Sequence, residues 1–207
     1  MNTPVFPKHD PAVPEFWNLR FDAAFKPWDQ GGVPQSLQTW IKQYARTTAP
    51  DVLIPGCGSA YEVQFLVNQG WNVVAIDFSP VAVAQARRVL GPLAHHVREA
   101  DFFSGDTGQS HFDVIYERAF LCALPCRLWP QWAARVTELI RPGGNLVGFF
   151  FTDNTDKGPP FGLHDGELEA MLQPYFTRRQ KALPSDSIPV FAGKESWQVW
   201  ERNTYRD

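Results

Sequence analysis

The sequence is short of the features that mark secreted, membrane-spanning or nucleic-acid-binding chains. Its 207 residues hold three cysteines, Cys57, Cys122 and Cys126, an odd number without a framework spacing. Cys122 and Cys126 stand four positions apart, not in a C-x-x-C knuckle or redox pair. All three are therefore expected to be reduced thiols in a cytoplasmic protein. No apolar run approaches the ~20 residues of a membrane-spanning helix, and the opening MNTPVFPKHD has no apolar signal core. A net charge of −3 without a basic run argues against nucleic acid as a partner. What remains is a chain long enough for one well-buried α/β domain, 1–207, with no repeats and no interdomain linker.

What is present concentrates in Asp51–Asp77, DVLIPGCGSAYEVQFLVNQGWNVVAID. Val52–Ile54 reads as a strand, Gly56-Cys57-Gly58 as a turn, and Tyr61, Phe65 and Leu66 as a helix stopped by Gly70. Val73–Ile76 is a second strand that ends on Asp77. A right-handed crossover puts both strand tips on the sheet edge where α/β proteins bind ligands. A glycine has no Cβ, so a ligand can approach that turn closely. Asp77 is placed to accept hydrogen bonds from both hydroxyls of a ribose. The dinucleotide pattern wants a third small residue where Tyr61 stands, and no P-loop Gly-Lys-Ser/Thr follows the turn. A shortened G-x-G with an acidic second strand suits S-adenosyl-L-methionine, which has a ribose and an adenine but no phosphate.

The rest of the chain arranges itself around that unit. Residues 1–14, with four prolines, read as an extended or mobile arm. Glu15–Phe25 has helical spacing of Trp17, Phe21 and Phe25, and a second helix starts at Pro34. Trp28, in the glycine-rich loop between them, is positioned to cover a ligand, including a sulfonium through its π face. Ser79 and Pro80 are the cap and first residue of a helix ending at Gly91. A third strand near His95–Ala100 leads to Asp101 and Phe102, a carboxylate for an adenine amine and a ring to stack on it. His95 and His96 would then point to opposite faces of that strand. A fourth strand, Phe112–Tyr116, delivers Glu117 and Arg118 to the same sheet edge. Arg118 faces either the cofactor carboxylate or an anionic substrate. A helix over Leu128–Ile140, a fifth strand over Asn145–Phe151 and a short helix over Asp165–Leu172 follow. Two final strands lie in Tyr175–Leu183 and Trp197–Arg202. The loop after the fifth strand reads as an active-site rim, with Pro160 and Phe161 over the pocket. Asp153, Asp156 and His164 in that loop are candidate bases, none of them assigned.

This order resembles the class I S-adenosylmethionine-dependent methyltransferases. More narrowly, FWNLRF, PWDQG, VLIPGCGSAYEV, VVAIDFSPVAVAQA, YERAFLCALP, RPGGNLV and KGPPF resemble the thiopurine methyltransferase family and its thiol and halide branch. The resemblance spans roughly Phe16 to Asn203. It implies a doubly wound, mostly parallel seven-stranded α/β sheet, with an antiparallel C-terminal strand and a helical lid over 15–46. It implies cofactor contacts from Trp17, Trp28, the Pro55-Gly56-Cys57-Gly58 turn, Asp77, Phe78, Asp101, Phe102, Glu117 and Arg118. Substrate would meet Trp28, Asp153, Pro160 and Phe161. The expected reaction is methyl transfer to a small soft nucleophile: a thiol, a thiopurine, or a selenium, tellurium or halide species. The sulfonium is already activated, so no metal is required, and Arg118 is the candidate catalytic group. The alternatives are an oxygen or nitrogen acceptor, or a cofactor-binding module without transfer. The expected partner is a small-molecule substrate, and the sequence leaves the oligomeric state open, a monomer being compatible with it.

Overall fold

A seven-stranded sheet runs through the computed structural model, which describes residues 4–44, 48–104, 106–154, 157–164 and 166–204. The strands are β1 (Asp51–Pro55), β2 (Asn72–Asp77), β3 (Val97–Glu99), β4 (Phe112–Arg118), β5 (Ile140–Phe151), β6 (Phe176–Ala182) and β7 (Glu195–Arg202). Their order is β3-β2-β1-β4-β5-β7-β6, so the strand order reverses between β1 and β4. The first five pair in parallel, and β7 runs antiparallel to both β5 and β6. The expected doubly wound sheet with its antiparallel C-terminal strand is the observed one.

Each face of the sheet is covered by helices whose apolar residues recur at helical spacing. On one face α2 (Gln35–Gln43), α3 (Tyr61–Asn68) and α4 (Pro80–Leu90) pack Leu37, Trp40, Val63, Leu66, Val83 and Ala86 onto Ile54, Val73, Ala75, Val114 and Tyr116. On the other, α5 (Trp129–Leu139) and α6 (Glu167–Leu172) press Trp132, Val136, Leu168 and Leu172 onto Leu53, Ile115, Leu146 and Phe150. Trp132 and Trp200 are fully buried, and each ring of that size contributes roughly 3–5 kcal/mol to a core. The first helix, α1 (Pro14–Asp22), lies over α4, where the Ser79 hydroxyl donates to Asn18 at 2.6 Å. Ser79 also accepts from the Ala82 N–H at 3.1 Å, so it caps α4 as its sequence context predicts, with Pro80 next.

Three boundaries differ from the sequence expectation. His95 and His96 belong to a 3-10 turn, Gly91–His96, that precedes a shorter β3. Pro92 starts the turn, His95 bonds the Pro92 carbonyl, and His96 bonds the Val73 carbonyl of β2, so the rings lie 4.2 Å apart instead of on opposite faces. β4 continues to Arg118, because Glu117 and Arg118 still pair with Gly148 and Phe149 of β5. β5 begins at Ile140, directly after α5. Gly144 makes this possible, since a Cβ there would lie 2.7 Å from the Asp113 carbonyl of β4. Among the described residues, no helix is long and apolar enough to cross a membrane.

Candidate active site

The tips of β1, β2 and β4, together with the segment that follows β3, open onto one cavity of about 600 Å³, a size suited to a small-molecule site. It sits where the strand order reverses, the usual ligand crevice of an open α/β sheet. Its floor at β1 is the Gly56-Cys57-Gly58 turn, with φ of +57° at Gly56 and +51° at Gly58. Both lie in the left-handed region that favours glycine. A Cβ on Gly56 would lie 2.4 Å from the Phe120 ring, so that position is closed to side chains by space as well.

Asp77 at the tip of β2 is buried yet lines the cavity. Its Oδ2 accepts from the Gly58 N–H at 3.0 Å and its Oδ1 from the Ser79 N–H at 2.9 Å. Each oxygen keeps a second acceptor position, enough for two hydroxyls of one ribose. Burial pushes its carboxyl up to about 6, against the pull of the backbone N–H groups. Asp101 and Phe102 follow β3 on the same wall, with the Asp101 Oδ1 holding the Phe103 N–H at 3.0 Å. Phe102 is buried edge-on against Phe103 and Phe120. Phe78 is also on the wall.

The opposite wall comes from α1 and the loop after it. Trp17 and Trp28 meet edge-on at 5.4 Å, and Phe21 stands 6.1 Å from Trp28. This loop is tied to the glycine turn. Lys26 Nζ donates to Ser59 Oγ at 2.9 Å, Ser59 Oγ donates to Asp29 at 2.5 Å, and Lys26 pairs with Asp29 at 3.1 Å. A turn without bulk, a ribose-sized acceptor pair and a cover of π faces fit S-adenosylmethionine.

Beyond the turn, toward β4 and β7, the wall changes character. Arg118 Nη1 pairs with Glu195 Oε2 at 2.6 Å and its Nη2 donates to Gln30 Oε1 at 2.8 Å. The guanidinium also lies over the Phe149 and Phe191 rings, at 4.4 and 5.4 Å. Glu62, in the first turn of α3, is buried and lines the cavity on this side. Burial pushes its carboxyl up to about 7, with Arg118 pulling the other way. The Tyr116 hydroxyl is buried near Glu62, close enough to influence it but without a well-formed hydrogen bond. Burial raises the Cys57 and Cys122 thiols, so neither is a ready thiolate.

Comparison with known proteins decides the lineage. Residues 12–203 match the thiopurine S-methyltransferase family. The chain belongs to that family. It is accordingly an S-adenosylmethionine-dependent methyltransferase. A probable thiol methyltransferase 2 of Arabidopsis thaliana is 29% identical over 163 residues, which covers 76% of this chain and 71% of the relative. A thiopurine S-methyltransferase of Vibrio cholerae is 28% identical over 182 residues, covering 80% and 84%. Magnesium protoporphyrin IX methyltransferase from Synechocystis PCC 6803, solved with bound SAM, shares the fold. Its TM-score is 0.73 and its identity 13%, over 96% of this chain and 100% of that one.

Most of the residues singled out in this methyltransferase's sequence meet at the cavity: Trp17, Trp28, Gly56, Cys57, Gly58, Asp77, Phe78, Asp101, Phe102, Arg118 and Pro160. Five do not reach its wall. Pro55 is buried within β1, paired with Ile76, one residue short of the turn. Glu117 alternates to the other side of β4 from Arg118 and holds the Phe120 and Leu121 N–H groups at 2.8 and 3.0 Å. It therefore shapes the turn that carries Phe120 beneath Gly56. Phe161 is folded back onto Gly158, and its N–H donates to the Cys122 carbonyl at 2.7 Å. The preceding Gly158, Pro159 and Pro160 take the wall position instead. Asp153 pairs with Lys194 at 2.7 Å, and that ammonium holds its carboxyl below the usual range, the wrong direction for a base. His164 is exposed and off the wall, and Asp156 lies outside the described residues.

Glu62, Gln30, Phe191 and Glu195 were not among the expected residues. Glu62 had a signal, since it is an acid in the first turn of the helix opened by the glycine loop, where a ligand-facing side chain belongs. Glu195 and Phe191 had none. They come from the far end of the chain, Phe191 on the wall and Glu195 behind it against Arg118, and they arrive there because β7 inserts between β5 and β6.

Proposed function

We propose that this chain moves the methyl group of S-adenosylmethionine to the sulfur of a small thiol, with soft nucleophiles such as selenium species in the same class. The observation that carries this reading is the two-part cavity. A ribose-sized carboxylate site and bare turn lie at β1–β2, and the part of the same cavity beyond the tip of β4 is lined by the side chains of Arg118, Cys122, Val190 and Phe191. With strands about 4.8 Å apart, the two parts lie side by side, as donor and acceptor must for in-line displacement. The bound cofactor supplies an activated methyl carbon. The protein supplies alignment and exclusion of water, through Trp17 on α1 and Trp28 on the loop after it, while α2 packs on the sheet and takes no part in the cover. As the acceptor sulfur bonds to the methyl carbon and the sulfonium bond breaks, the acceptor's proton passes to the Glu62 carboxylate. Asp101 and Phe102 hold the adenine, and Asp77 the ribose. Three unbridged thiols support a reducing compartment, the cytoplasm.

The test is a donor labelled in its methyl group, offered with a panel of thiols, selenium compounds, halides and hydroxy or amino acceptors. Labelled thioether is the expected product. Label appearing only on oxygen or nitrogen, with every thiol inert, overturns the reading.

A further inference from the structure

The acceptor chamber contains one guanidinium, and its charge is already cancelled. Arg118 and Glu195 are buried together, with side-chain exposures of 11% and 2%. A second oxygen of the same carboxylate, Glu195 Oε1, is buried with no hydrogen-bond partner among the described residues. Gln30 takes another guanidinium N–H, and Gln30 is itself held by Asp186, to whose carbonyl and carboxylate it donates at 3.1 Å each. The remaining surface here is apolar: Cys122, Val190 and Phe191. The other cations near the cavity are placed elsewhere. Lys26, off the wall, is paired with Asp29, and Arg20 of α1 lies over the Phe16 and Phe6 rings, at 3.3 and 4.6 Å.

An anion entering this chamber gives up its hydration and finds no unbalanced positive charge in return. It also meets the Glu62 carboxyl, while the Glu195 carboxylate, buried behind Arg118 and off the cavity wall, keeps that guanidinium neutralised. An uncharged thiol with an apolar body loses little water and fills the aromatic wall. We infer that Glu195, by neutralising Arg118, makes this enzyme select uncharged apolar thiols and exclude anionic acceptors such as thiocyanate, halides and carboxylate-bearing thiols. The inference rests on the proposed thiol reaction and goes further by fixing the charge of the acceptor. The thiol enters with its proton, which leaves for Glu62 as the carbon–sulfur bond forms. Glu195 is thus a positioning residue that sets specificity through Arg118.

The experiment compares mercaptopropionate with its methyl ester, and adds thiocyanate, on wild type and Glu195→Gln. Two readouts are taken: kcat/KM for methyl transfer, and calorimetric binding of each probe to protein loaded with S-adenosylhomocysteine. In wild type the ester is favoured over the acid by about tenfold or more, the order of selectivity expected from one uncompensated charge. In Glu195→Gln that ratio falls about fivefold or more, mainly through gain on the acid and thiocyanate, as Arg118 is left unbalanced. Equal use of acid and ester by wild type overturns the inference. So does an unchanged ratio in a variant with wild-type melting temperature. If neither thiol is methylated but the ester alone binds, the transfer reading falls and this one stands. If neither probe binds, this one falls. Should Glu195→Gln not fold, the wild-type binding ratio decides.

Discussion

The two halves of the cavity are built in opposite ways. At β1–β2 the contacts are local and largely backbone: Gly58 donates to Asp77 nineteen positions away, and Ser79 to the same carboxylate two positions away. At β4–β7 they are side chain to side chain and distant: Arg118 reaches Glu195 across 77 positions and Gln30 across 88. A local site of backbone and one carboxylate recognises a fixed molecule and tolerates little change. A site assembled from separate segments can be altered one side chain at a time without disturbing the sheet. The cofactor half is therefore the constant part and the acceptor half the adjustable part. Substitutions on the two sides should separate cleanly, one set in cofactor affinity and the other in acceptor rate and choice.

The largest effect belongs to Asp77→Ala. It removes the acceptor for the Gly58 and Ser79 N–H groups and the expected grip on the ribose. Charge-assisted hydrogen bonds are worth roughly 1.5–3 kcal/mol each, so the loss of two weakens cofactor binding by about 100-fold or more. Calorimetry with S-adenosylhomocysteine measures it. Affinity within about threefold of wild type would remove Asp77 from the site and dissolve the distinction between the halves.

Next comes Glu62→Gln, which acts on rate. Proton transfer by a positioned side chain typically contributes 10²–10⁴-fold, so kcat for thiols falls by about 100-fold while cofactor affinity changes by less than about threefold. The sign of the pH dependence follows from the raised carboxyl. Glu62 accepts a proton only when ionised, so wild-type kcat rises with pH and levels off above about 7. In Glu62→Gln that limb disappears, leaving one set by the thiol itself, near 8.5 for a cysteine-like acceptor by its ordinary ionisation, to order of magnitude. A limb unmoved by the substitution would assign the proton elsewhere.

The same division explains what could be read in the chain. The glycine turn, the acid at the tip of β2, the Ser79 cap and the Asp101-Phe102 pair all announce themselves within a few residues of a strand end, and they meet in the cavity. Trp28 was legible because a tryptophan between a proline and an acid has no helix face to bury. Phe161 misled because its neighbours, not its ring, form the rim. Asp153 misled because its partner, Lys194, is 41 positions away. Glu195 could not be read at all. Its meaning depends on β7 lying against β5, a pairing that no short window of sequence contains.

The smallest effect tests the seam between the lid and the constant half. Ser59→Ala removes the hydroxyl that receives Lys26 and donates to Asp29, leaving only the Lys26–Asp29 pair across the lid loop. The two side chains are 24% and 13% exposed, so water takes up part of what is lost. About 1 kcal/mol remains, which is a cofactor off-rate raised about fivefold in stopped-flow quenching of tryptophan fluorescence. Acceptor selectivity should not move, because Ser59 touches neither Arg118 nor Glu195. A shift in the ester-to-acid preference in this variant would mean that the lid carries strain from one half into the other, and the halves would then be one coupled site.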